Sequence, residues 1–386
     1  MIEDSKISVS FLHSLFIFAV LPSIFLWLTP VPVMLFAPLM FLFSAHSVYR
    51  KKWYANVYHC LFLLSTLLIC CWLVFSGYSN LAIFSLAGYL GILYPLMLTK
   101  YQLRSLLRHT SIFVCIVAFS CLGVVWDLLN LPSLFQVNNP NGDISYFIPF
   151  TFYGVKEVLI RPSAIYFEPG YLGFYLISYL YCRKLLGIHS HLDKYLAIAG
   201  LVTQSATYIL VIALYFTSSK MVKNSNSYLN IIKGLVFLLP GIFFILSSSS
   251  MEWVFARLNQ WFLDPLSSVR VLHLIELLEL FRDPQVILFG MTECNRGSEE
   301  CPVISGNILA PLLRGGVVTY IPIIGGFLYL LLLTIAKRRV EAFLGLIALT
   351  LLMMAKPLYL QYPYSLVVGV FFTCILINVN RNKSYG

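Results

Sequence analysis

The chain has 386 residues, of which 59% are hydrophobic and only 11% charged. Its mean hydropathy is +0.84. Soluble domains carry roughly 25% charged residues, so this composition excludes an ordinary water-soluble protein and leaves an all-α membrane bundle. The formal net charge of +10 does not point to nucleic acid, because the basic residues sit mainly in short connections between apolar runs, where they set orientation.

Apolar runs of spanning length, about 20 residues, fall at 8–28, 32–49, 57–77, 80–99, 111–131, 170–187, 227–247, 307–335 and 358–380, with a shorter one at 341–355. Residues 1–7 are polar and the first run follows at once, which reads as an uncleaved start signal. Arg50-Lys51-Lys52 is strongly basic and therefore cytoplasmic, which places the N-terminus inside. Lys100, Arg104 and Arg108 mark the next inner connection. The run at 111–131 then carries the chain out, and 132–168 is expected to be a first large outer loop. The helix 170–187 returns the chain to Arg183, Lys184 and Lys194.

Residues 195–219 decide the parity of everything that follows. A single crossing would put Lys220, Lys223, Lys337-Arg338-Arg339, Arg381 and Lys383 outside, against the positive-inside rule. A segment that enters and leaves on the inner side keeps all of them cytoplasmic. The expectation is two half-helices broken near Thr203-Gln204-Ser205; the alternative is one ordinary helix whose polar residues bond to a neighbour. On the first topology 248–306 is a second large outer loop, and 1–386 forms one transmembrane domain. Within that loop, 267–282 has helical periodicity with an apolar stripe of Leu274, Leu277, Leu278 and Phe281, stopped by Asp283-Pro284.

Most cysteines lie in apolar segments and read as small buried hydrophobes. Cys294 and Cys301 lie in the second outer loop, where they either close a short loop as a disulfide or stay as two thiols. Soluble-enzyme signatures are missing: the chain has no phosphate loop, no His-Glu-x-x-His, no zinc spacing and no nucleophile elbow. No dense carboxylate cluster suggests a metal.

The most informative stretch is Arg161-Pro162-Ser163-Ala164-Ile165-Tyr166-Phe167-Glu168-Pro169-Gly170. It sets a cation and an anion where a polar loop enters an apolar run. Ionisable groups at such positions usually face a cavity or a partner. Pro169 suits a first helical turn, and a carboxylate there is favoured by the helix N-terminus. The outer loops also concentrate arginine, at Arg161, Arg257, Arg270, Arg282 and Arg296, with Arg314 just inside the following run. Arginine suits bidentate capture of phosphate. Arg270 and His273 are three residues apart and share a helix face. His273 could be a general base or donate a hydrogen bond. Glu168 could act as a base, orient Arg161 or cap the helix.

Arg161 followed by Phe167-Glu168-Pro169-Gly170 and an apolar helix resembles the bacterial O-antigen polymerase (Wzy-type) family. Three other stretches share in the resemblance: Thr203-Gln204-Ser205 with Ala206-Thr207-Tyr208-Ile209-Leu210; Ser267-Ser268-Val269-Arg270 continuing to Pro284 and Gly290; and Ser305-Gly306-Asn307 leading to Leu312, Gly315 and Gly316. Together they cover roughly residues 155–330. The chain departs from the family at Gly290-Met291-Thr292, where a Gly-x-Gly is usual. Ser305 and Asn307 stand where ligase relatives carry a His, which favours polymerase over ligase.

The resemblance implies a multi-span, metal-independent, inverting glycosyltransferase without a cofactor. Its partners would be membrane lipid and an undecaprenyl-pyrophosphate-linked oligosaccharide, with a polysaccharide chain-length regulator as a candidate protein partner. It would work on the periplasmic face of the inner membrane, with both termini cytoplasmic. In that reading Arg161, Glu168, Arg270 and His273 are the catalytic candidates. Arg161 and Arg270 contact pyrophosphate, while Glu168 and His273 take the acceptor proton or hold the arginines. Tyr166, Phe167 and Tyr171 stack on sugars, and Arg314 and Asn307 complete the binding set. The alternatives are an O-antigen ligase acting on lipid A-core and a flippase or transporter of the lipid-linked sugar.

Overall fold

The computed structural model describes residues 14, 15, 17, 18, 57–138, 144–149, 151–153, 163, 166, 169–203, 205–221, 269–291, 294, 309–355 and 364–380. The expected runs at 32–49 and 227–247, and most of 8–28, lie outside these residues. Tertiary contacts divide the chain into two compact units. One comprises Met1–Thr29 with Lys100–Arg257, the other Pro30–Thr99 with Leu258–Gly386.

In the second unit, α1 (Val57–Phe75) and α2 (Ser79–Leu96) form a hairpin. Gly77 turns it at φ +82, a left-handed conformation that costs glycine little. The amide of Tyr78 closes the turn on the Leu73 carbonyl at 2.9 Å.

Later helices of this unit are α8 (Val269–Leu280), α9 (Pro284–Phe289), α10 (Gly316–Ala336), α11 (Val340–Ala355) and α12 (Tyr364–Val379). α12 is apolar all round and buried on every side from Tyr364 to Ile375, the pattern of a central helix. It packs on α2 at Gly369, where a Cβ would sit 2.6 Å from the Ile92 carbonyl oxygen, so only glycine allows the approach. At the far ends of these helices, Asn378 Nδ2 donates to Glu341 Oε2 at 3.1 Å, and Lys337 donates to Asn380 Oδ1.

In the first unit, α3 (Lys100–Leu106) leads into α4 (Thr110–Leu128). A three-stranded antiparallel sheet follows in the segment expected to be loop: β1 (Phe135–Asn138), β2 (Ile144–Ile148) and β3 (Thr151–Tyr153), in the order β1-β2-β3. Phe135 pairs with Phe147 across the first ladder and Phe147 with Phe152 across the second. Helices otherwise dominate, as the composition requires. α5 (Pro169–Leu185), α6 (His191–Ala199), a 3-10 turn (Gly200–Thr203) and α7 (Ala206–Met221) complete the described part of this unit.

The expected break at 203–205 is present. α6 gives way to the 3-10 turn, Ser205 is non-helical, and α7 starts at Ala206. Ser205 Oγ accepts from the Tyr208 amide at 3.4 Å and so caps the new helix. Contacts with α5 fix the path. Asp193 at the start of α6 is bonded to Arg183 at the end of α5. Thr203 and Tyr208, at the break, lie against Gly173 near the start of α5; a Cβ on Gly173 would meet Thr203 Oγ1 at 3.2 Å and the Tyr208 ring at 3.3 Å. α7 then runs back, because Lys184 Nζ donates to the Tyr215 carbonyl and the Ser218 hydroxyl. Segment 191–221 therefore begins and ends beside the same end of α5. Gly173 and Lys184 are about 16 Å apart along the helix at ~1.5 Å per residue, which is the depth of this hairpin.

Among the described residues two stretches are long and apolar enough to cross a membrane: Lys100–Leu128 and Gly316–Ala336. Shorter apolar helices are Phe62–Phe75, Leu81–Leu96, Thr207–Ser218, Val340–Met354 and Tyr364–Val379. Leu64, Leu67, Leu68 and Val74 on α1, and Ile321, Leu328, Leu332 and Ile335 on α10, are exposed. Soluble monomers rarely show apolar faces of that extent, so the surface associates the chain with a membrane.

Candidate functional site

Candidate residues are distributed between the two units. Arg161, Glu168 and Phe167 belong to the first and Asn307 to the second by position; all four lie outside the described residues. Helix α5 starts at Pro169, directly after Glu168, as the Pro-at-first-turn pattern requires. Tyr171 is half-buried in its first turn.

Tyr166 corrects one expectation. Its side chain is fully buried, stacked on Tyr175 with ring centroids 5.0 Å apart at 12°, and its hydroxyl donates to the Phe18 carbonyl at 2.7 Å. Burial pushes its phenol well above the usual range, so it stays a neutral donor. A ring with no exposed face cannot stack on a sugar. Tyr166 is instead held by Phe18 and Tyr175 in the packed interior of the first unit. Phe18 extends this packing, with ring centroids 5.2 Å from Tyr179 and 5.7 Å from Phe113.

In the second unit, Arg270 lies in the first turn of α8 and His273 one turn later. Leu277 is fully buried and packs with Cys294 and Leu313, while Phe281 lies partly buried at the edge of that cluster. Leu278, expected in the same stripe, is exposed. It follows Leu277 by one residue, about 100° around the helix, which carries it off the narrow buried face. Asp283 does more than end a helix. Its Oδ1 accepts from the Gln285 amide at 2.8 Å and caps α9, with Pro284 in the first turn.

Gly290 ends α9 at φ +77. A Cβ there would meet Gly315 N at 2.5 Å and the Leu313 carbonyl oxygen at 2.6 Å. The backbone of α9 thus crosses directly on the start of α10, and the Met291 amide donates to the Leu313 carbonyl at 2.9 Å. Arg314 leaves from this crossing with its side chain exposed, in the connection before α10 rather than within the helix. Cys294 is disulfide-bonded. Cys70, Cys71, Cys115, Cys121, Cys182 and Cys374 are free, which leaves Cys60 and Cys301, whose side chains lie outside the described residues, as the remaining cysteines. Segment 269–291 is therefore fastened to the start of α10 at two points, the Leu277 cluster and the glycine crossing.

A charged cluster that the sequence reading did not single out sits where α5 meets the hairpin. Arg183 Nε and Nη2 donate to the two Asp193 carboxylate oxygens at 3.1 and 3.2 Å. Arg183 Nη1 also donates to the carbonyls of Leu107 and Arg108, and the guanidinium lies 5.5 Å from the centre of the Tyr179 ring. Asp193 further accepts from the Ser190 amide at 3.0 Å, one half of a capping box. The Ser190-x-x-Asp193 spacing was the signal available in the sequence. The Arg183 bonds run to backbone and carboxylate oxygens of the chain, the pattern of a structural lock. Among the described residues no group of three or more His, Cys, Asp or Glu could hold a metal ion. Comparison with family models, with curated proteins and with solved structures finds no match to this chain.

Proposed function

We propose that the chain is an O-antigen polymerase: a multi-span glycosyltransferase of the bacterial inner membrane that joins undecaprenyl-pyrophosphate-linked oligosaccharide repeats on the periplasmic side. The observation that carries the reading is the Arg161–Gly170 segment, which leads into a helix that starts at Pro169 and has the re-entrant hairpin packed along it. Two further features support it. Arg270 opens the α8 helix of the expected second loop. Cys294 is disulfide-bonded in that loop, and disulfides persist on the oxidising side of a membrane. A hairpin that begins and ends beside the same end of α5 also agrees with the expectation, from the positive-inside rule, that 195–219 starts and ends on one side.

In the proposed reaction a sugar hydroxyl of an incoming lipid-linked repeat attacks the anomeric carbon of the growing chain. The bond from that carbon to the pyrophosphate oxygen breaks, and undecaprenyl pyrophosphate leaves. Arg161 and Arg270 offset the charge developing on the leaving oxygens, with Arg314 as a third donor. Fixed donors are most effective where bulk water is excluded. Glu168 or His273 takes the acceptor proton or holds the arginines, and Phe167, Tyr171 and Asn307 bind sugar.

The test is a gel of surface lipopolysaccharide from a strain lacking this gene, run beside an analysis of undecaprenyl-linked glycans. Core bearing a single repeat, restored to a ladder by the wild-type chain but not by Arg161→Ala, is the expected result. Long polymer stranded on the carrier would point to a ligase, and repeats trapped on the cytoplasmic leaflet to a flippase.

A further inference from the structure

The first loop has a surface that the glycosyltransferase reading leaves unused. On α4 one face packs into the unit through Ile112, Phe113, Ile116 and Ser120. A row at three-residue spacing, Phe119, Leu122, Val125 and Leu128, is exposed along the helix and winds away from that packed face. That stripe does not stop where the helix does. It continues through Leu129, Leu131, Leu134 and Phe135, each more than 40% exposed, into the first strand of the sheet.

The turn that carries it on is held in place. Asn130 takes φ +53, the Leu131 amide donates to the Trp126 carbonyl at 3.3 Å, and Trp126 Nε1 donates to the Pro132 carbonyl at 2.9 Å. The Leu134 amide donates to the Phe147 carbonyl at 2.8 Å, and Phe135 stacks on Phe147 with centroids 4.5 Å apart. The sheet itself is fastened to α4. Thr151 Oγ1 donates to the Ser120 carbonyl at 3.3 Å, and a Cβ on Gly123 would meet Thr151 Oγ1 at 2.5 Å. The exposed leucines therefore belong to a rigid element whose position relative to α4 is set.

Composition points the same way. Between Leu128 and Tyr153 the only charged residue is Asp143, while Phe135, Tyr146, Phe147, Phe150, Phe152 and Tyr153 are aromatic. A water-facing loop would carry roughly one charge in four residues. Uncharged segments rich in Trp, Tyr and Phe at the end of an apolar helix are the mark of the membrane interface.

We infer that the three-stranded sheet is a membrane-interface element. Leu131, Leu134 and Phe135 seat it among the lipid headgroups of the leaflet that α4 has just left, so that it does not stand up into water. The occupant of this surface is lipid, because the stripe is continuous with the face of a helix long and apolar enough to cross the bilayer. The sheet then roofs the membrane edge of the first unit, and a lipid-linked ligand approaching along the leaflet would meet it before bulk water. The inference rests on the membrane reading and not on the chemistry proposed above.

Spin-label accessibility on the full-length protein in lipid nanodiscs tests it. Cys70, Cys71, Cys115 and Cys121 are replaced by alanine, and a label is placed by Leu134→Cys or, should that variant fail to fold, by Phe135→Cys. Leu122→Cys provides a mid-helix reference and Glu279→Cys an exposed reference. The expected ratio of oxygen to nickel-chelate collision for the sheet label lies between the two references, several-fold above Glu279 and below Leu122. A nickel accessibility equal to that of Glu279 would put the sheet in water and overturn the inference. Protection from both reagents would mean a protein partner or a second copy, and would overturn it as well. A Leu122 label as nickel-accessible as Glu279 would remove the membrane reading itself.

Discussion

Arg183 and Asp193 face each other at 3.1 Å with almost no solvent contact, their side chains 2% and 5% exposed. Arg183 is in the last turn of α5 and Asp193 in the first turn of α6. Their pairing fixes where the hairpin starts, and Lys184, one residue on, fixes where it ends, against Ser218. Two adjacent cations thus hold both ends of one helical hairpin. A buried pair is weak evidence for net stability, but removing one partner leaves a charge with no compensation.

Asp193→Ala is therefore expected to destabilise the protein by about 3–5 kcal/mol. The measurement is thermal unfolding in detergent alongside membrane yield. Replacing both partners, Arg183→Met with Asp193→Leu, should recover most of the loss. A single variant as stable as wild type would mean that the pair does not organise the hairpin.

The tip of the hairpin gives a second prediction. Tyr208 lies directly over Gly200, in the space that a Cβ would need, and its hydroxyl donates to the Ala197 carbonyl at 2.8 Å. Gly200→Val should lower stability by roughly 1–3 kcal/mol, the range for overpacking. Added to Tyr208→Ala, which removes the obstructing ring, it should cost little more than Tyr208→Ala does by itself. Equal costs in both backgrounds would show that the ring is not the obstacle.

The glycine crossing in the second loop is similarly open to test. Gly290→Ala combines a left-handed φ with backbone atoms 2.5 and 2.6 Å from the new methyl group, and neither can move without shifting α10. We expect a loss above 1 kcal/mol from the conformation alone, with the close approach adding to it. Gly325→Ala, at a position with nothing within 4 Å, is the matched control and should be near neutral. Unfolding curves of the two variants would settle the comparison.

For the disulfide, blocking free thiols before and after reduction, then mapping peptides by mass spectrometry, should recover Cys294 linked to Cys301. Breaking the bond by Cys294→Ala is expected to cost about 2–5 kcal/mol. Cys294 in a free form in oxidised membranes would contradict both the disulfide and the proposed placement of this segment on the oxidising side.

How far the sequence revealed this structure varied by element. Long apolar runs made α1, α4 and α5 plain, because only burial or lipid accommodates them. The break at 203–205 was legible through two independent signals, the polar Thr203-Gln204-Ser205 and the parity of the basic loops. The sheet was not read, although Asn141-Gly142 lies between runs rich in Phe, Tyr, Ile and Val, an ordinary hairpin signature. Expecting a membrane bundle turned every non-helical stretch into loop. Tyr166 was misassigned because a tyrosine beside charged residues looks available for binding, and only packing shows that its ring and hydroxyl are both used. The Arg183–Asp193 lock was hidden for a related reason. Charges at a helix end count toward orientation, and sequence does not distinguish a solvated arginine from a buried one. The candidate site was legible as motifs on separate segments, since helix starts can be read locally whereas tertiary neighbours cannot.

Removal of one preorganised donor from a developing oxyanion typically lowers turnover by about 10²–10³-fold. Arg161→Ala should therefore insert and unfold like wild type yet lose at least that much polymer synthesis. Arg161→Lys should recover only part of it, because lysine cannot form the bidentate contact.

The most direct measurement is reconstitution. The purified chain in nanodiscs is given undecaprenyl-pyrophosphate-linked repeat units, with no other protein present, and both products are followed. The account predicts glycan chains of more than one repeat, together with one undecaprenyl pyrophosphate released for each bond formed. Intact repeats with no lipid pyrophosphate released, from protein that is folded and carries its Cys294 disulfide, would contradict it.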